Sequence, residues 1–276
     1  MNAFAARPDP SAHALLAAQC QDTMTFTDFP LDERLQRAIT AAGFQCPTQI
    51  QAESIPLILN GKDVLGIAQT GTGKTAAYVL PLLQHLITAP RAGRGTRALV
   101  LTPTRELAEQ VRDTIRLLGK HANVRCSTVY GGVGMAAQDR ALRNGTDIIV
   151  ACPGRLLDHA GHGAVDFRGI ECLVLDEADR MLDMGFMPDI RRINAMLPQQ
   201  RQTLLFGATF ASELERFAAT ILRNPARVTV GESAPAQTIA HALYPIPGQL
   251  KTQLLIAMLR NITSDSVLIF THTKDR

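Results

Sequence analysis

No pair of cysteines in this 276-residue sequence has CxxC spacing, and the cysteine count, five, is odd. This usage argues against a disulfide framework and fits a reducing cytosol. No segment approaches the roughly 20 apolar residues that a bilayer-spanning helix needs. Residues 1–20 contain one arginine and no sustained apolar stretch, which argues against a secretory signal. Together these absences predict a cytoplasmic protein that does not associate with membranes.

The sequence also lacks a strong excess of either charge. It has 28 Lys and Arg residues against 25 Asp and Glu residues, a net charge of +3. This balance permits an anionic partner without requiring one, so any nucleic-acid surface must come from local clusters. Hydrophobic residues make up 46% of the chain and charged residues 19%, which predicts a folded domain with a buried core.

Short β-branched apolar runs alternate with longer amphipathic stretches from Lys62 onward. Leu107, Val111, Ile115 and Leu118, for example, share one face of a helix. Strict alternation predicts right-handed βαβ crossovers and an α/β fold with a doubly wound parallel sheet. In such sheets ligands bind beyond the carboxyl ends of the strands. The predicted strands are 63–68, 97–103, 125–130, 147–152, 171–176 and 202–208.

The pattern changes near residue 231, and four segments follow. Residues 1–23 are predicted to be a flexible tail and residues 24–230 a large α/β domain. The small residues and proline at 231–238 predict a linker. Residues 239–276 carry a strand, a helix and another strand, and a unit of about 40 residues is too small for a stable core of its own. We expect it to be the incomplete start of a second domain.

The strongest local motif is AQTGTGKT, which lies between a predicted strand and a predicted helix. This is the setting of a phosphate-binding loop. The two glycines let backbone N–H groups and the helix start face the phosphates. Lys74 is expected to bridge phosphate oxygens, and Thr75 to bind Mg²⁺. The loop comprises Ala68, Gln69, Thr70, Gly71, Thr72, Gly73, Lys74 and Thr75.

An acidic motif, DEAD, closes the predicted strand 171–176. Asp176 at that position is expected to contact Mg²⁺ through water, and Glu177 to orient or deprotonate an attacking water. The alternative is that these carboxylates only complement the dipole of the helix that follows. The phosphate loop about 100 residues earlier favours the first interpretation. Lys74, Asp176 and Glu177 are therefore the candidate catalytic residues.

The motifs in their order resemble those of the DEAD-box RNA helicases of superfamily 2. The resemblance runs from about Phe26 to the end and rests on GFQCPTQIQ, AQTGTGKT, PTRELA, GG, PGR, DEAD and GAT. The stretches MLDMGFMPDIRR and VLIFTHTK resemble the bacterial RhlE-like subgroup. The resemblance implies a RecA-like ATP-binding domain, ATP and Mg²⁺ as cofactors, and RNA as partner.

The resemblance also implies roles for individual residues. Gln51 is expected to read adenine through its amide and Phe26 to stack on it, with Phe44 nearby in the nucleotide site. RNA is expected to be held by backbone contacts without base readout. The alternative for the arginines of this set is that they follow helix starts and face solvent. The implied RNA-binding residues are Pro103, Thr104, Arg105, Gly131, Gly132, Pro153, Gly154 and Arg155.

Two departures from the family pattern stand out. The resemblance implies that Gly207–Ala208–Thr209 is the coupling motif, which with Asp179 couples ATP hydrolysis to strand separation. The family usually has serine at its first position. The missing hydroxyl is expected to remove a hydrogen bond to Asp179, worth about 0.5–1.5 kcal/mol. Cys152 replaces the usual threonine before PGR. His159 and His162 are interpreted as loop residues, because no cysteine or carboxylate set completes a metal site around them.

The sequence thus predicts the ATPase half of an ATP-dependent RNA helicase. In the family the arginines that act on the transferring phosphate come from the second domain, so residues 1–276 alone are expected to bind nucleotide but hydrolyse little. A DNA helicase of the same superfamily and an RNA clamp without turnover remain alternatives. Partners in ribosome assembly or RNA decay are possible for the whole protein. The sequence does not determine the oligomeric state.

Overall fold

The structure, a computed structural model, describes residues 24–89, 95–231, 242–263 and 266–271. The chain divides into two compact units, Met1–Glu232 and Ser233–Arg276. The predicted tail, residues 1–23, lies outside the described residues. So does the predicted linker 231–238 apart from its first residue.

The first unit is built on a parallel sheet of seven strands in the order β3-β4-β2-β5-β6-β1-β7. All of its strand pairs are parallel. This confirms the predicted fold class. The strands are β1 (Val64–Ala68), β2 (Ala98–Leu101), β3 (Cys126–Val129), β4 (Ile148–Ala151), β5 (Cys172–Leu175), β6 (Gln202–Gly207) and β7 (Ala226–Val230).

Helices cover both faces of the sheet, so the central strands are apolar on both sides. One core contains buried side chains from α1 to α4, and the other contains those from α5 to α9. These helices are α1 (Glu33–Ala41), α2 (Gln49–Leu59), α3 (Lys74–Thr88), α4 (Arg105–Leu118), α5 (Met135–Arg143), α6 (Pro153–Gly161), α7 (Ala178–Asp183), α8 (Met187–Met196) and α9 (Ser212–Ile221).

All six strands predicted for the first unit are present, each within the predicted range. The seventh, β7, was not predicted. It pairs only with β1 at the edge of the sheet, and Val228 is its one buried side chain. An edge strand can keep polar residues such as Arg227 and Thr229 on its exposed side, so it lacks the continuous apolar run that marks the inner strands.

Asp63 anchors the amino end of β1. Its carboxylate is buried and accepts the backbone N–H groups of Thr203, at 2.8 Å, and Arg223, at 2.7 Å. These bonds tie β1 to the start of β6 and to the turn that leads into β7. The parallel pairing of the strands brings their carboxyl ends to one edge of the sheet, and the predicted motifs follow those ends.

The second unit is described at residues 242–263 and 266–271. A short 3-10 helix, Gly248–Leu250, leads into α10 (Lys251–Asn261), close to the predicted helix. The strands predicted on either side are wrong for the described residues, which have no strand at 242–247 or 266–271. A strand needs a neighbour to pair its backbone groups. Leu243, Leu268 and Phe270 are more than three-quarters exposed in this unit.

Four of the five cysteines lie within the described residues. Cys126, Cys152 and Cys172 are free thiols, whereas Cys46 is disulfide-bonded, which the sequence did not lead us to expect. None of the helices in the described part of the chain combines the length and the hydrophobicity that a bilayer span requires.

Candidate nucleotide site and nucleic-acid interface

The phosphate loop connects β1 to α3 at the carboxyl edge of the sheet. Gly71 and Gly73 have φ values of +86° and +90°, a conformation that side chains with a Cβ rarely adopt. Gly73 is the residue before the first turn of α3, whose free N–H groups open toward the loop. Lys74 is buried, and its Nζ donates to the carbonyl oxygen of Ala68 at 2.7 Å. The loop therefore forms a cradle of the kind that binds phosphate.

The remaining residues of the loop differ in exposure. Gln69 and Thr70 are exposed at its tip. The hydroxyl of Thr72 donates to the carbonyl oxygen of Gln69 at 2.7 Å, which stiffens the turn. Thr75, in the first turn of α3, is half-buried, and its side chain is hydrogen-bonded to that of Tyr78. The Thr75 side chain thus lies beside the acidic motif as well as in the loop.

Gln51 joins α2 to the phosphate loop. Its Nε2 donates to the carbonyl oxygen of Gly73 at 3.0 Å, and its Oε1 accepts the N–H of Thr48 at 3.0 Å. A Cβ at position 73 would lie 2.4 Å from this Nε2, so only glycine allows the approach. Gln51, whose amide is predicted to read adenine, is only 5% exposed, and the same amide supports the phosphate loop.

The aromatic residues predicted near the base form a stacked pair. The rings of Phe26 and Phe44 have centroids 6.0 Å apart and an interplanar angle of 26°. Phe29 covers Phe26 edge-on from another side, and Phe26 is only 4% exposed. Phe44 is 37% exposed, so it presents the accessible ring surface of the pair.

Asp176 lies just beyond β5 and faces α3. Its Oδ2 accepts the phenol hydroxyl of Tyr78 at 2.7 Å, and both side chains are buried. Burial raises the pKa of the Asp176 carboxyl to about 6, although Tyr78 and the positive charge of Lys74 act in the opposite direction. Burial, reinforced by Asp176, also raises the pKa of Tyr78 well above its ordinary value. The structure thus brings Lys74 and Asp176, two of the predicted catalytic residues, close together.

Glu177 adopts a left-handed backbone conformation, with φ of 52° and ψ of 52°. This conformation is uncommon for a residue with a Cβ and often marks a functional position. Its carboxylate pairs with Arg180 one turn later, at 3.2 Å. The strained turn sets Glu177 next to Asp176 at the end of the strand, as the acidic motif predicted.

Asp179 contacts the coupling motif at the end of β6. Its Oδ2 accepts the N–H of Ala208 at 3.0 Å, the N–H of Thr209 at 2.9 Å and the Thr209 hydroxyl at 3.2 Å. A Cβ at Gly207 would lie 3.1 Å from Asp179 Oδ1. Ala208 and Thr209 thus bind the Asp179 carboxylate without a side chain at position 207, and the cost of the missing serine hydroxyl stays a prediction.

The predicted RNA-binding residues form a second cluster. The Arg105 guanidinium lies over the ring of Tyr130, 5.0 Å from its centroid. A Cβ at Gly132 would come within 4.0 Å of the same guanidinium. Thr104 caps α4 by accepting the N–H of Leu107 at 3.2 Å. The structure thus places the PTREL and GG motifs together, and Arg105 is exposed above a fixed ring.

The PGR motif approaches the same loop from α6, which begins at Pro153. Arg155 donates to the carbonyl oxygen of Val133 at 3.0 Å, and 18% of its side chain is exposed. Gly154, between Pro153 and Arg155 in the first turn of the helix, is half-buried. The alternative of an arginine in free solvent is therefore wrong for Arg155, which fastens the loop after the two glycines.

Three residues at these sites were missed or misplaced by sequence reasoning. Tyr78 and Tyr130 gave no motif signal, although Tyr78 follows Lys74 by one helical turn. His159 is not a loop residue as interpreted. It lies within α6 and is fully buried. Within the described residues, no group of three or more His, Cys, Asp or Glu side chains could hold a metal ion by itself.

Comparisons with known proteins agree with this geometry. Residues 48–217 match the family described as DEAD/DEAH box helicase. The ATP-dependent RNA helicase SrmB of Escherichia coli is 44% identical over 256 residues, 91% of this chain and 58% of its own. The ATP-dependent rRNA helicase RRP3 of Coccidioides immitis is 44% identical over 91% of this chain and 53% of its own. The chain spans about half the length of these relatives.

Solved structures give the same result. A DEAD box protein from Methanococcus jannaschii superposes with a TM-score of 0.72 at 33% identity, covering 87% of this chain and 64% of that one. A hypothetical ATP-dependent RNA helicase from Sulfolobus tokodaii gives a TM-score of 0.67 at 40% identity, covering 72% and 57%. With the phosphate loop, the acidic motif and the arginine cluster at one edge of the sheet, the chain belongs to the DEAD/DEAH box helicase family.

Proposed function

We propose that this chain binds ATP with Mg²⁺ and single-stranded RNA, as the ATP-binding part of an RNA helicase. Residues 24–230 are the RecA-like ATP-binding domain in this proposal, and residues 239–276 begin a second domain of the same kind. One observation carries the proposal. Two groups of the phosphate-loop helix act on the buried carboxylate of Asp176: the Tyr78 hydroxyl, which donates to it, and the positive charge of Lys74.

The residues of the site fit the proposed nucleotide. The loop after β1 offers backbone N–H groups and Lys74 to phosphate oxygens. Gln51 is hydrogen-bonded to this loop, and Phe44, seven residues earlier in the sequence, is exposed. Adenine presents a donor at N6 beside an acceptor at N7, which a glutamine amide matches, whereas guanine presents two acceptors, O6 and N7, at that edge. ATP is therefore the nucleotide that this set of residues favours.

The residues also fit Mg²⁺. Thr75 and Asp176 offer oxygen ligands, which this ion prefers, and few protein ligands suffice because Mg²⁺ keeps water and phosphate oxygens around it. An Mg²⁺ ion held by these two residues would supply positive charge to the phosphate oxygens. Asp176 is 2% exposed and its neighbour Glu177 is held by a left-handed turn. We propose that Glu177 orients the attacking water.

A nucleotide titration tests the first half of the proposal. We expect the chain to bind a fluorescent ADP analogue, and Lys74→Ala to weaken binding at least tenfold, because a buried charged contact to phosphate contributes more than about 1.4 kcal/mol. Lys62→Ala is the matched control, since Lys62 is an exposed lysine before β1. Gln51→Ala should reduce the preference for ATP over GTP in competition. Equal binding by wild type and Lys74→Ala would contradict the assignment.

RNA binding distinguishes the proposal from its alternatives. Phosphate contacts from Arg105 and the Gly131–Gly132 loop suit a single strand of either nucleic acid, so affinity for a matched DNA strand tests the DNA helicase alternative to the proposed RNA. Phosphate release with and without RNA tests the alternative of a clamp without turnover. Little turnover by residues 1–276 stays our prediction. Appreciable RNA-stimulated hydrolysis by this chain would contradict it.

Finer assignments belong to the same proposal. The relatives include helicases named for rRNA, so ribosomal RNA is the substrate class we propose first, with ribosome assembly as the process and RNA decay as the alternative. MLDMGFMPDIRR at 181–192 supports a place in the RhlE-like subgroup. A cytoplasmic location is proposed with them. Pulldown of the protein with cross-linked RNA would test the substrate class.

A further inference from the structure

A buried histidine lies behind the loop that carries the two glycines. The imidazole of His159, in α6, is fully buried, with its Nδ1 2.6 Å from Oδ1 of Asp139 and its Nε2 2.9 Å from Oε1 of Gln138. Both partners lie on α5. Neither residue belongs to a motif of the nucleotide site, so the arrangement calls for its own explanation.

The hydrogen bonds have a direction. The Nε2 of Gln138 donates to the carbonyl oxygen of Tyr130 at 3.0 Å, so the Oε1 of Gln138 is the atom that faces His159. A glutamine oxygen can only accept, and so His159 Nε2 must donate. The carboxylate of Asp139 holds the other side of the ring. The chain of bonds therefore runs from Asp139 through His159 and Gln138 to the backbone of Tyr130.

Tyr130 is the point at which this chain of bonds meets the arginine cluster. Its ring lies beneath the Arg105 guanidinium, and its hydroxyl is hydrogen-bonded to Glu109 of α4. Gly131 and Gly132 follow directly, and Arg155 holds the carbonyl oxygen of Val133. The loop 130–133 is thus fastened at its start by Gln138 and at its end by Arg155.

We propose that His159 is a positioning residue for RNA binding: it orients the Gln138 amide, which fixes Tyr130 and so sets the place of Arg105 and the glycine loop. The proposal rests on the proposed RNA binding by these residues. Because a buried amide without an oriented partner can rotate, loss of the imidazole donor frees the Tyr130 carbonyl. The nucleotide site, which these residues do not touch, is unaffected.

Three variants test this. His159→Phe keeps a ring but removes both ring nitrogens, and Gln138→Met keeps the length but removes the bond to Tyr130. His162→Phe is the matched control, because His162 is exposed at the end of the same helix. Affinity for a fluorescein-labelled oligo(U) RNA is measured by anisotropy, affinity for an ADP analogue by fluorescence, and amide hydrogen exchange in peptides that cover residues 129–137.

We expect His159→Phe and Gln138→Met each to weaken RNA binding by about three- to tenfold, the range of one net hydrogen bond, and to speed exchange in that segment. The affinity for ADP should stay within about twofold of that of the wild type. The double variant should bind RNA as tightly as whichever single variant has the lower affinity. Unchanged exchange in both single variants, or additive losses, would overturn the proposal. If the wild type fails to bind RNA, the proposed function fails, while the exchange measurement still decides the role of His159.

Discussion

The hydroxyl of Tyr78 donates to the carboxylate of Asp176 across 2.7 Å, although 98 residues separate them in the sequence. Tyr78 lies one helical turn after Lys74 in α3, and its ring packs against Phe206 of β6, with centroids 5.5 Å apart. The phenol thus connects the helix of the phosphate loop to the acidic motif through the core of the sheet. Four predictions start from contacts of this kind.

Replacing Tyr78 with phenylalanine should destabilise the protein by about 1.5–3 kcal/mol at pH 8, because a buried hydrogen bond to a charged group is lost. Urea denaturation measures the free energy of unfolding. Tyr244→Phe is the control, since Tyr244 is 53% exposed. A loss of less than about 0.5 kcal/mol for Tyr78→Phe would show that the phenol does not stabilise the carboxylate.

The pKa of the Asp176 carboxyl, raised by burial to about 6, predicts a pH dependence of stability. In the unfolded chain this pKa is about 3.9, so between about pH 4 and pH 6 the folded protein binds more protons than the unfolded one. The contribution of Asp176 to stability is therefore fully present below pH 4 and is lost as the pH rises through 6.

Asp176→Asn isolates this contribution, because the amide does not titrate in this range. The free energy of unfolding of the wild type minus that of Asp176→Asn should fall by about 1–3 kcal/mol between pH 4 and pH 7. Urea titrations at four pH values within that interval measure it. A difference that rises with pH would contradict the predicted direction of the pKa shift.

At Gly207 two substitutions should differ. A Cβ there would lie 3.1 Å from Asp179 Oδ1 and 3.3 Å from Phe210 Cε2, so Gly207→Ala must move one of them and should cost about 1 kcal/mol. Gly207→Ser adds the same Cβ but also a donor beside the carboxylate, which should recover about half of that loss. Thermal or urea unfolding compares them. Equal stability of alanine and glycine would mean that the site accommodates the Cβ freely.

The arginine cluster should give salt-dependent RNA binding. Each phosphate contact to a single strand contributes about 0.7 to the slope of log K against log salt concentration, so Arg105→Ala should reduce that slope by about this amount. Arg155→Ala should also lose affinity through the freed Val133 carbonyl. Arg168→Ala is the control, because that side chain is 90% exposed and pairs with Asp166. An unchanged slope for Arg105→Ala would exclude its phosphate contact.

Much of the fold could be predicted because buried parallel strands carry a strong local signal. The five inner strands are mostly buried and each is followed by a motif, and they were predicted correctly together with the edge strand β3. The edge strand β7, which has one buried residue and is followed by no motif, was missed. The strands predicted at 241–246 and 266–270 are absent from the described residues, because an apolar run alone does not supply a neighbouring strand to pair with.

The sequence by itself determined the shape of the predicted phosphate loop, because Gly71, Gly73 and Lys74 lie within one short segment whose geometry is local. The tertiary structure alone decided what supports them. Tyr78 on Asp176 and His159 behind Tyr130 join elements far apart in the chain, and such contacts depend on strand order and helix packing. For the same reason the glycine at 207 proved compatible with a well-bound Asp179. The Asp179 carboxylate is held by backbone N–H groups, whose positions depend on the fold and not on which side chains the sequence specifies.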